Sequence, residues 1–199
     1  MRCIKPSACL LIFALSTNLF AFTKNKYPEN PCNFDFDKYL KDTKTSNLAK
    51  RLFNDEYINI DTDDPLFLLD SLTAEDKQAR PFYFKVAGNS YKSSDGYYSE
   101  GLGSIGKKYV LENTIEFISY FDNKSCFTGR ELETWADIVM LELSLEADNN
   151  ENNKSLVDDY NRKLFFNCKH CSATQKETLD TFSKLLTSKW KSYLKSINK

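Results

Sequence analysis

Residues 167–171 read NCKHC, a Cys-x-x-Cys motif that contains the only histidine of the chain. Three kinds of chemistry use this arrangement: thiol–disulfide exchange, metal binding, and a structural disulfide that closes a tight loop. These three possibilities differ in the secondary structure that they need around Cys168 and Cys171, and in the compartment where they occur.

The segment KLFFNCKHCSATQ locally resembles the active site of thioredoxin-like oxidoreductases, where a Cys-x-x-Cys precedes a helix. The resemblance implies a thiol–disulfide oxidoreductase that uses Cys168 and Cys171. That family's fold needs a strand before the motif, and a cis-proline and further strands after it. Here the preceding residues have helical periodicity, and only 28 residues, none of them proline, follow Cys171. The context therefore favours a structural disulfide, and redox catalysis remains an alternative.

Structural zinc needs four ligands, usually in two spaced pairs. Only His170 and the isolated Cys32 and Cys126 could complete such a site, so we predict no metal ion and no other cofactor. We instead expect two disulfides among Cys32, Cys126, Cys168 and Cys171. Four cysteines allow three connectivities, of which we favour Cys32–Cys126 with Cys168–Cys171.

Residues 1–21 have the pattern of a secretory signal peptide: Arg2 and Lys5, an apolar run over 8–15, then small and polar residues. The apolar run is too short for a bilayer core of about 30 Å, and no later segment has the roughly 20 apolar residues of a membrane helix. We predict a periplasmic or secreted protein without a membrane span. An oxidising compartment favours the disulfides.

Charge and size limit the function further. Without Arg2 and Lys5, 25 basic residues face 28 acidic ones, a net charge of −3. This balance argues against nucleic acid as a partner. The 178 residues that follow the predicted signal peptide are enough for one domain with a sizeable core.

Apolar residues recur every three or four positions, which predicts an all-α fold. The clearest stripe is C-terminal and comprises Leu179, Phe182, Leu186, Trp190, Tyr193 and Ile197, and a second comprises Leu132, Trp135, Val139 and Leu143. Further helices are predicted at 44–57, 97–111, 114–121 and 155–167. We expect a single compact multi-helix domain with antiparallel helix pairs, and the pair near 96–121 is similar to those of helical-repeat proteins.

Local signals predict the helix starts and the domain limits. Capping boxes pair Ser172 with Gln175 and Thr128 with Glu131. Two further helix starts are predicted, one at Thr73 with Asp76 and one at Asp64 before Pro65.

Residues 22–43 contain Pro28, Pro31 and Cys32, which indicates an extended N-terminal arm that a disulfide attaches to the body. The helical domain is predicted to cover 44–199.

The segment GLGSIGKK at 101–108 partly matches two phosphate-binding motifs. The triphosphate loop needs Ser or Thr where Lys108 stands, and the dinucleotide motif must follow a buried strand. The preceding SSDGYYSE is polar and turn-like. We therefore interpret the glycines as positions where another helix or the arm approaches closely.

Charge is segregated in the C-terminal half. Residues 131–159 contain nine acidic and one basic residue, whereas residues 160–199 contain nine basic and two acidic residues. Either the two segments pair with each other, or the acidic stretch is displayed to a basic partner. For the second case the candidate partner-binding residues are Glu142, Glu146, Asp148 and Glu151.

A lone histidine excludes most Ser/His/Asp and Cys/His catalytic arrangements. We therefore expect a non-enzymatic protein that binds another protein, most specifically an immunity protein that neutralises a toxin acting in the periplasm. Its size, predicted signal peptide and disulfides resemble the general pattern of such proteins. The alternatives are an envelope structural or assembly factor with a helical-repeat groove, and an enzyme, either a thiol–disulfide oxidoreductase that uses Cys168 and Cys171 or a carboxylate-dependent hydrolase.

Overall fold

The computed structural model describes residues 34–60, 66–74, 77–94, 96–122, 127–148 and 155–197. Within these ranges the chain forms helices and no strands, which confirms the all-α prediction. The α-helices are α1 (Phe36–Lys41), α2 (Asn47–Phe53), α3 (Phe67–Thr73), α4 (Arg80–Ser90), α5 (Gly96–Glu112), α6 (Thr114–Ser119), α7 (Gly129–Asp148), α8 (Leu156–Asn167) and α9 (Ala173–Ile197). They pack around one core.

Helices α5 and α7 approach each other closely because α5 has glycines on its contact face. A Cβ atom placed on Gly103 would lie 3.0 Å from Leu141 Cβ, and one placed on Gly106 would lie 2.5 Å from Ile138 Cγ2. Later positions on α5 thus face earlier positions on α7, so the two helices run antiparallel. The interpretation of these glycines as sites of close helix approach is confirmed.

Aromatic side chains join the helices at the centre of the core. The rings of Phe84 in α4 and Trp135 in α7 stack with centroids 4.3 Å apart, and Phe117 in α6 meets Phe182 in α9 edge-on at 4.8 Å. Full burial of such a side chain contributes roughly 1.5–3 kcal/mol, and favourable ring geometry adds to this. This cluster therefore holds four helices in a fixed arrangement.

The two predicted apolar stripes face the core. All four residues of the α7 stripe are buried, as are Leu179, Phe182, Leu186 and Trp190 of α9. Tyr193 is half-buried and Ile197 is exposed, so the α9 stripe leaves the core near the end of the helix. Periodicity therefore identified the buried face of both helices correctly.

Both predicted capping boxes are confirmed. The Thr128 backbone N–H donates to Glu131 Oε2 at 2.7 Å, and the Glu131 N–H donates to Thr128 Oγ1 at 3.3 Å. The Ser172 N–H donates to Gln175 Oε1 at 3.0 Å, and the Gln175 N–H donates back to Ser172 Oγ at 3.2 Å. These bonds satisfy backbone donors that have no partner within the first turn of a helix.

The predicted helix start at Thr73 is wrong, because Thr73 is the last residue of α3 and its hydroxyl donates to the Asp70 carbonyl. Burial of Leu68, Leu69 and Leu72 extends α3 to this point, and the next helix begins only at Arg80. The predicted cap at Asp64 lies outside the described residues.

The prediction of an extended arm over residues 22–43 is wrong for 36–41, which form α1. Asp35 caps this helix by accepting a hydrogen bond from the Lys38 N–H at 3.1 Å. Tyr39 stacks on Phe82 of α4, with ring centroids 5.5 Å apart, so aromatic packing helps hold the short helix against the body. Residues 22–33, with Cys32, lie outside the described residues.

Helix α2 is shorter than the predicted 44–57. It begins after Ser46, whose hydroxyl accepts from the Ala49 N–H at 3.1 Å, and it ends at Phe53. Asp55 adopts a left-handed conformation with φ 61°, which a right-handed helix cannot include. The backbone conformation, rather than the apolar pattern, sets this end.

An ion pair lies inside the core between α4 and α6. Arg80 Nη1 lies 3.0 Å from Glu116 Oε2, and the same nitrogen donates to Asn113 Oδ1 at 3.1 Å. The hydroxyl groups of Tyr120 and Tyr109 donate to Glu116 Oε1 at 2.9 and 3.3 Å. Both charges thus have polar partners, as buried charges require.

Candidate functional site

The Cys-x-x-Cys motif forms a disulfide between Cys168 and Cys171, with the two Cα atoms 5.0 Å apart. It spans the turn between α8 and α9, where the Cys171 N–H also donates to the Cys168 carbonyl at 3.0 Å. This confirms the predicted local disulfide. Both residues are buried, whereas thiol exchange needs an accessible sulfur atom, so the setting is that of a structural link.

The second predicted disulfide involves residues outside the described ranges, since Cys32 and Cys126 are not among them. Within the described part of the chain, no group of three or more His, Cys, Asp and Glu residues is arranged to hold a metal ion. His170 lies exposed in the turn that the Cys168–Cys171 disulfide closes.

GLGSIGKK lies within helix α5 and does not form a phosphate-binding loop. Gly101 faces the Leu66 side chain, and Gly103 and Gly106 face α7. Lys107 forms an ion pair with Glu146 of α7, and the Tyr160 hydroxyl donates to the Lys107 carbonyl at 2.9 Å. The segment therefore joins α5 to α7 and α8.

Two of the four candidate partner-binding acids, Glu142 and Glu146, line one open groove of about 610 Å³ between α5, α7 and the start of α8. Glu100 of α5 adds a third carboxylate. The other lining residues are small or apolar, namely Gly101, Ser104, Leu145 and Leu156. We call this site the acidic groove.

The electrostatics of the acidic groove are dominated by carboxylates. Burial raises the pKa of the Glu142 carboxyl, the nearby Lys107 ammonium opposes this effect, and the Glu146 carboxylate adds to it. Because Lys107 offsets one of three carboxylates, the groove retains a net negative charge at neutral pH. A cationic group that enters it would be stabilised, and would favour the ionised form of Glu142.

Asp148 does not line this groove. Its carboxylate accepts a hydrogen bond of 2.5 Å from the Tyr193 hydroxyl of α9, and this bond is the main reason why the pKa of Tyr193 is raised to about 12. Glu151 lies outside the described residues. The structure thus brings two of the four predicted acids together and assigns a third to an intramolecular contact.

Some acidic residues of 131–159 form ion pairs with a basic residue of 160–199 inside the molecule. Lys189 of α9 lies 2.5 Å from Asp137 and 3.8 Å from Glu133, both on α7. In these pairs the acidic and basic segments neutralise each other. The residues that line the acidic groove, Glu142 and Glu146 in the C-terminal half of α7 and Glu100 in α5, are not part of these pairs.

Sequence reasoning missed Glu100 and Leu156 as parts of the site. Glu100 is an ordinary exposed acid on a predicted helix, and Leu156 follows a polar loop. Their role depends on how α5, α7 and α8 pack, for which the chain carries no local signal.

Comparisons with protein families, with curated proteins and with solved structures give no match for this chain. None of the described helices is both long enough and apolar enough to cross a membrane.

Proposed function

We propose that this chain is a non-enzymatic protein-binding domain of the periplasm or of the secreted fraction, whose acidic groove binds a basic surface of another protein. The observation that carries the proposal is the convergence of Glu100, Glu142 and Glu146 beside Leu145 and Leu156. The most specific form is an immunity protein that neutralises a toxin acting in the periplasm.

The composition of the groove suits protein recognition. Apolar side chains supply contact area that is dehydrated on binding, and surrounding charges select the partner and accelerate association. The groove is open, so a protruding loop or helix end can enter without movement of α5 or α7. A basic loop or helix end at the rim of the substrate cleft of a cell-wall-degrading toxin is a surface of this kind.

Extracytoplasmic location and a non-catalytic role rest on the sequence. The predicted signal peptide supports export, and the lone histidine and the weak phosphate-binding matches supply no catalytic group. The buried Cys168–Cys171 link is compatible with a protein that has to remain folded in an oxidising compartment.

The test uses the product of a toxin gene that neighbours the gene of this protein. We expect co-export of this chain to protect cells from that toxin, and the purified proteins to associate faster at low than at high salt. If no such gene is adjacent, or if protection fails, the immunity function is wrong and the envelope assembly factor becomes the better interpretation.

A charge reversal in the groove tests the site. Glu100→Lys should weaken toxin binding about tenfold, mainly through slower association at low salt, because it places a cation among the carboxylates. The matched control is Glu177→Lys, an exposed acid of α9 that lies outside the groove lining. Equal binding of both variants would show that the acidic groove is not the docking surface.

A further inference from the structure

We propose a second docking surface of opposite charge, which binds an acidic segment of a protein partner that carries an apolar anchor residue. It is an open groove of about 620 Å³ between the end of α5 and α8, lined by Leu111, Asp159, Arg162, Lys163, Phe166 and Asn167. We call it the basic groove. The proposal goes beyond the acidic groove and does not depend on it.

The apolar part of this surface is the exposed ring of Phe166. Its exposed fraction is 68 %, and that of the adjacent Phe165 is 42 %, whereas Phe82, Phe84 and Phe117 are fully buried in the core. Large exposed aromatic residues next to a concave surface are the usual anchors of protein interfaces. Most of the Phe166 side chain is therefore available for contact with a partner.

The charged part of this surface is basic. Lys169 places its Nζ atom 5.0 Å from the centre of the Phe166 ring, and Lys163 is exposed on the groove lining. Arg162 forms an ion pair with Asp159, and among the described residues of this surface Lys163 on the lining and Lys169 beside the Phe166 ring add two further cations. This excess of positive charge is complementary to a partner with carboxylates.

The backbone that presents Phe166 is fixed in place. The Asn167 side chain donates to the Leu111 carbonyl at 2.7 Å and to Thr114 Oγ1 at 3.4 Å, which attaches the end of α8 to the α5–α6 junction. The Cys168–Cys171 disulfide begins at the next residue. A surface that is ordered before binding loses less conformational entropy on association.

The two grooves lie at opposite ends of α8. Leu156 lines the acidic groove and Phe166 lines the basic groove, and these two residues are separated by about 15 Å along the helix axis.

A flat anionic membrane is a poorer occupant of the basic groove, because the surface is concave and carries Asp159. We therefore assign it to a protein segment.

The experiment selects peptides from a random 16-residue phage library on the immobilised full chain, at low salt. We expect enrichment of sequences with several Asp or Glu residues around an aromatic or aliphatic residue. Synthetic versions of the enriched peptides should bind at least about tenfold more weakly to Phe166→Ala and to Lys163→Glu/Lys169→Glu. The proposal is overturned if the selected peptides show no enrichment of acidic residues, or if they bind Phe166→Ala as tightly as they bind the unmodified chain.

Two control variants establish that peptide binding is specific to the basic groove. Phe67→Ala removes another exposed phenylalanine, on α3, and should leave peptide binding unchanged. Glu100→Lys should not weaken peptide binding, so failure of the acidic groove and failure of the basic groove are distinguishable. All variants should retain the melting temperature of the unmodified chain, because the replaced side chains are exposed.

A membrane assay completes the test. Vesicles of phosphatidylglycerol and phosphatidylethanolamine should not co-sediment with the protein. If they do, and Phe166→Ala abolishes the co-sedimentation, the surface binds anionic lipid and the assignment to a protein segment is wrong.

Discussion

Arg80 and Glu116 form an ion pair with a 3.0 Å separation in the core, where their side chains are only 4 % and 3 % exposed. The Arg80 guanidinium also donates to the Ala74 carbonyl, and two tyrosine hydroxyls donate to Glu116. Burial, together with the Glu116 carboxylate, raises the pKa of Tyr109 and Tyr120 above the usual value. The pair therefore links α4 to α6, and its hydrogen bonds also engage Ala74, Tyr109 and Tyr120.

Removal of one member of this pair should destabilise the protein strongly. Arg80→Met leaves the Glu116 carboxylate buried without its cation, and we expect it to lower the free energy of unfolding by about 3–5 kcal/mol. Arg80→Met/Glu116→Leu should lose less than Arg80→Met alone, because no charge is then left unpaired. Urea denaturation measures both.

The control for this experiment is the exposed pair between Lys184 and Asp180 on α9. Lys184→Ala should lower the free energy of unfolding by at most about 1 kcal/mol. A similar loss for Arg80→Met and Lys184→Ala would contradict the structural role of the buried pair.

The close contact between α5 and α7 predicts that Gly106 tolerates no larger side chain. In Gly106→Val the new Cβ would meet Ile138 Cγ2, and we expect a loss of about 1–3 kcal/mol in the free energy of unfolding. Ile138→Ala should partly restore stability in combination with Gly106→Val. Gly129→Ala is the control, since no atom of the described residues lies within 4 Å of its added Cβ, and it should not destabilise the protein.

Trp190 fixes the C-terminal part of α9 to the core. It is 5 % exposed and stacks on Tyr193 with ring centroids 5.2 Å apart. Trp190→Ala should lower the free energy of unfolding by about 3–5 kcal/mol, as large core truncations do. The adjacent Lys191→Ala, on the exposed face, should change it little. Thermal and urea unfolding followed by circular dichroism would reveal the difference.

The Cys168–Cys171 disulfide should stabilise the protein without redox activity. Because the closed loop is very short, Cys168→Ala/Cys171→Ala should cost only about 2 kcal/mol. The unmodified chain should not catalyse insulin reduction by dithiothreitol, since both cysteines are buried. Catalysis of that reaction would support the oxidoreductase alternative in place of the structural role.

The raised pKa of Glu142 predicts a small pH-dependent effect on stability. A carboxyl whose pKa is higher in the folded than in the unfolded state favours folding more as the pH falls through that range. Glu142→Gln should therefore raise the melting temperature at neutral pH, and this gain should shrink as Glu142 becomes protonated. A melting temperature that falls at neutral pH would mean that the contact with Lys107 outweighs burial.

The sequence predicted those features that depend on residues close together in the chain. The prediction was correct for the buried faces of α7 and α9, for both capping boxes and for the Cys168–Cys171 disulfide, and it gave the bounds of α5 and α8 to within one residue. Each of these depends on helical periodicity or on contacts that span a few residues. The errors at Thr73 and in α1 concern short helices that pack against distant residues, as Tyr39 of α1 packs on Phe82 of α4.

The tertiary structure decided which helix faces meet and which side chains remain outside. Arg80 and Glu116 are 36 residues apart, and Lys107 and Glu146 are 39 residues apart. Periodicity shows that a helix has a buried face, but it does not specify the neighbouring helix, because many packings bury the same apolar stripe. The acidic groove and the exposed Phe166 ring therefore follow from the placement of α5, α7 and α8, which long-range packing alone determines.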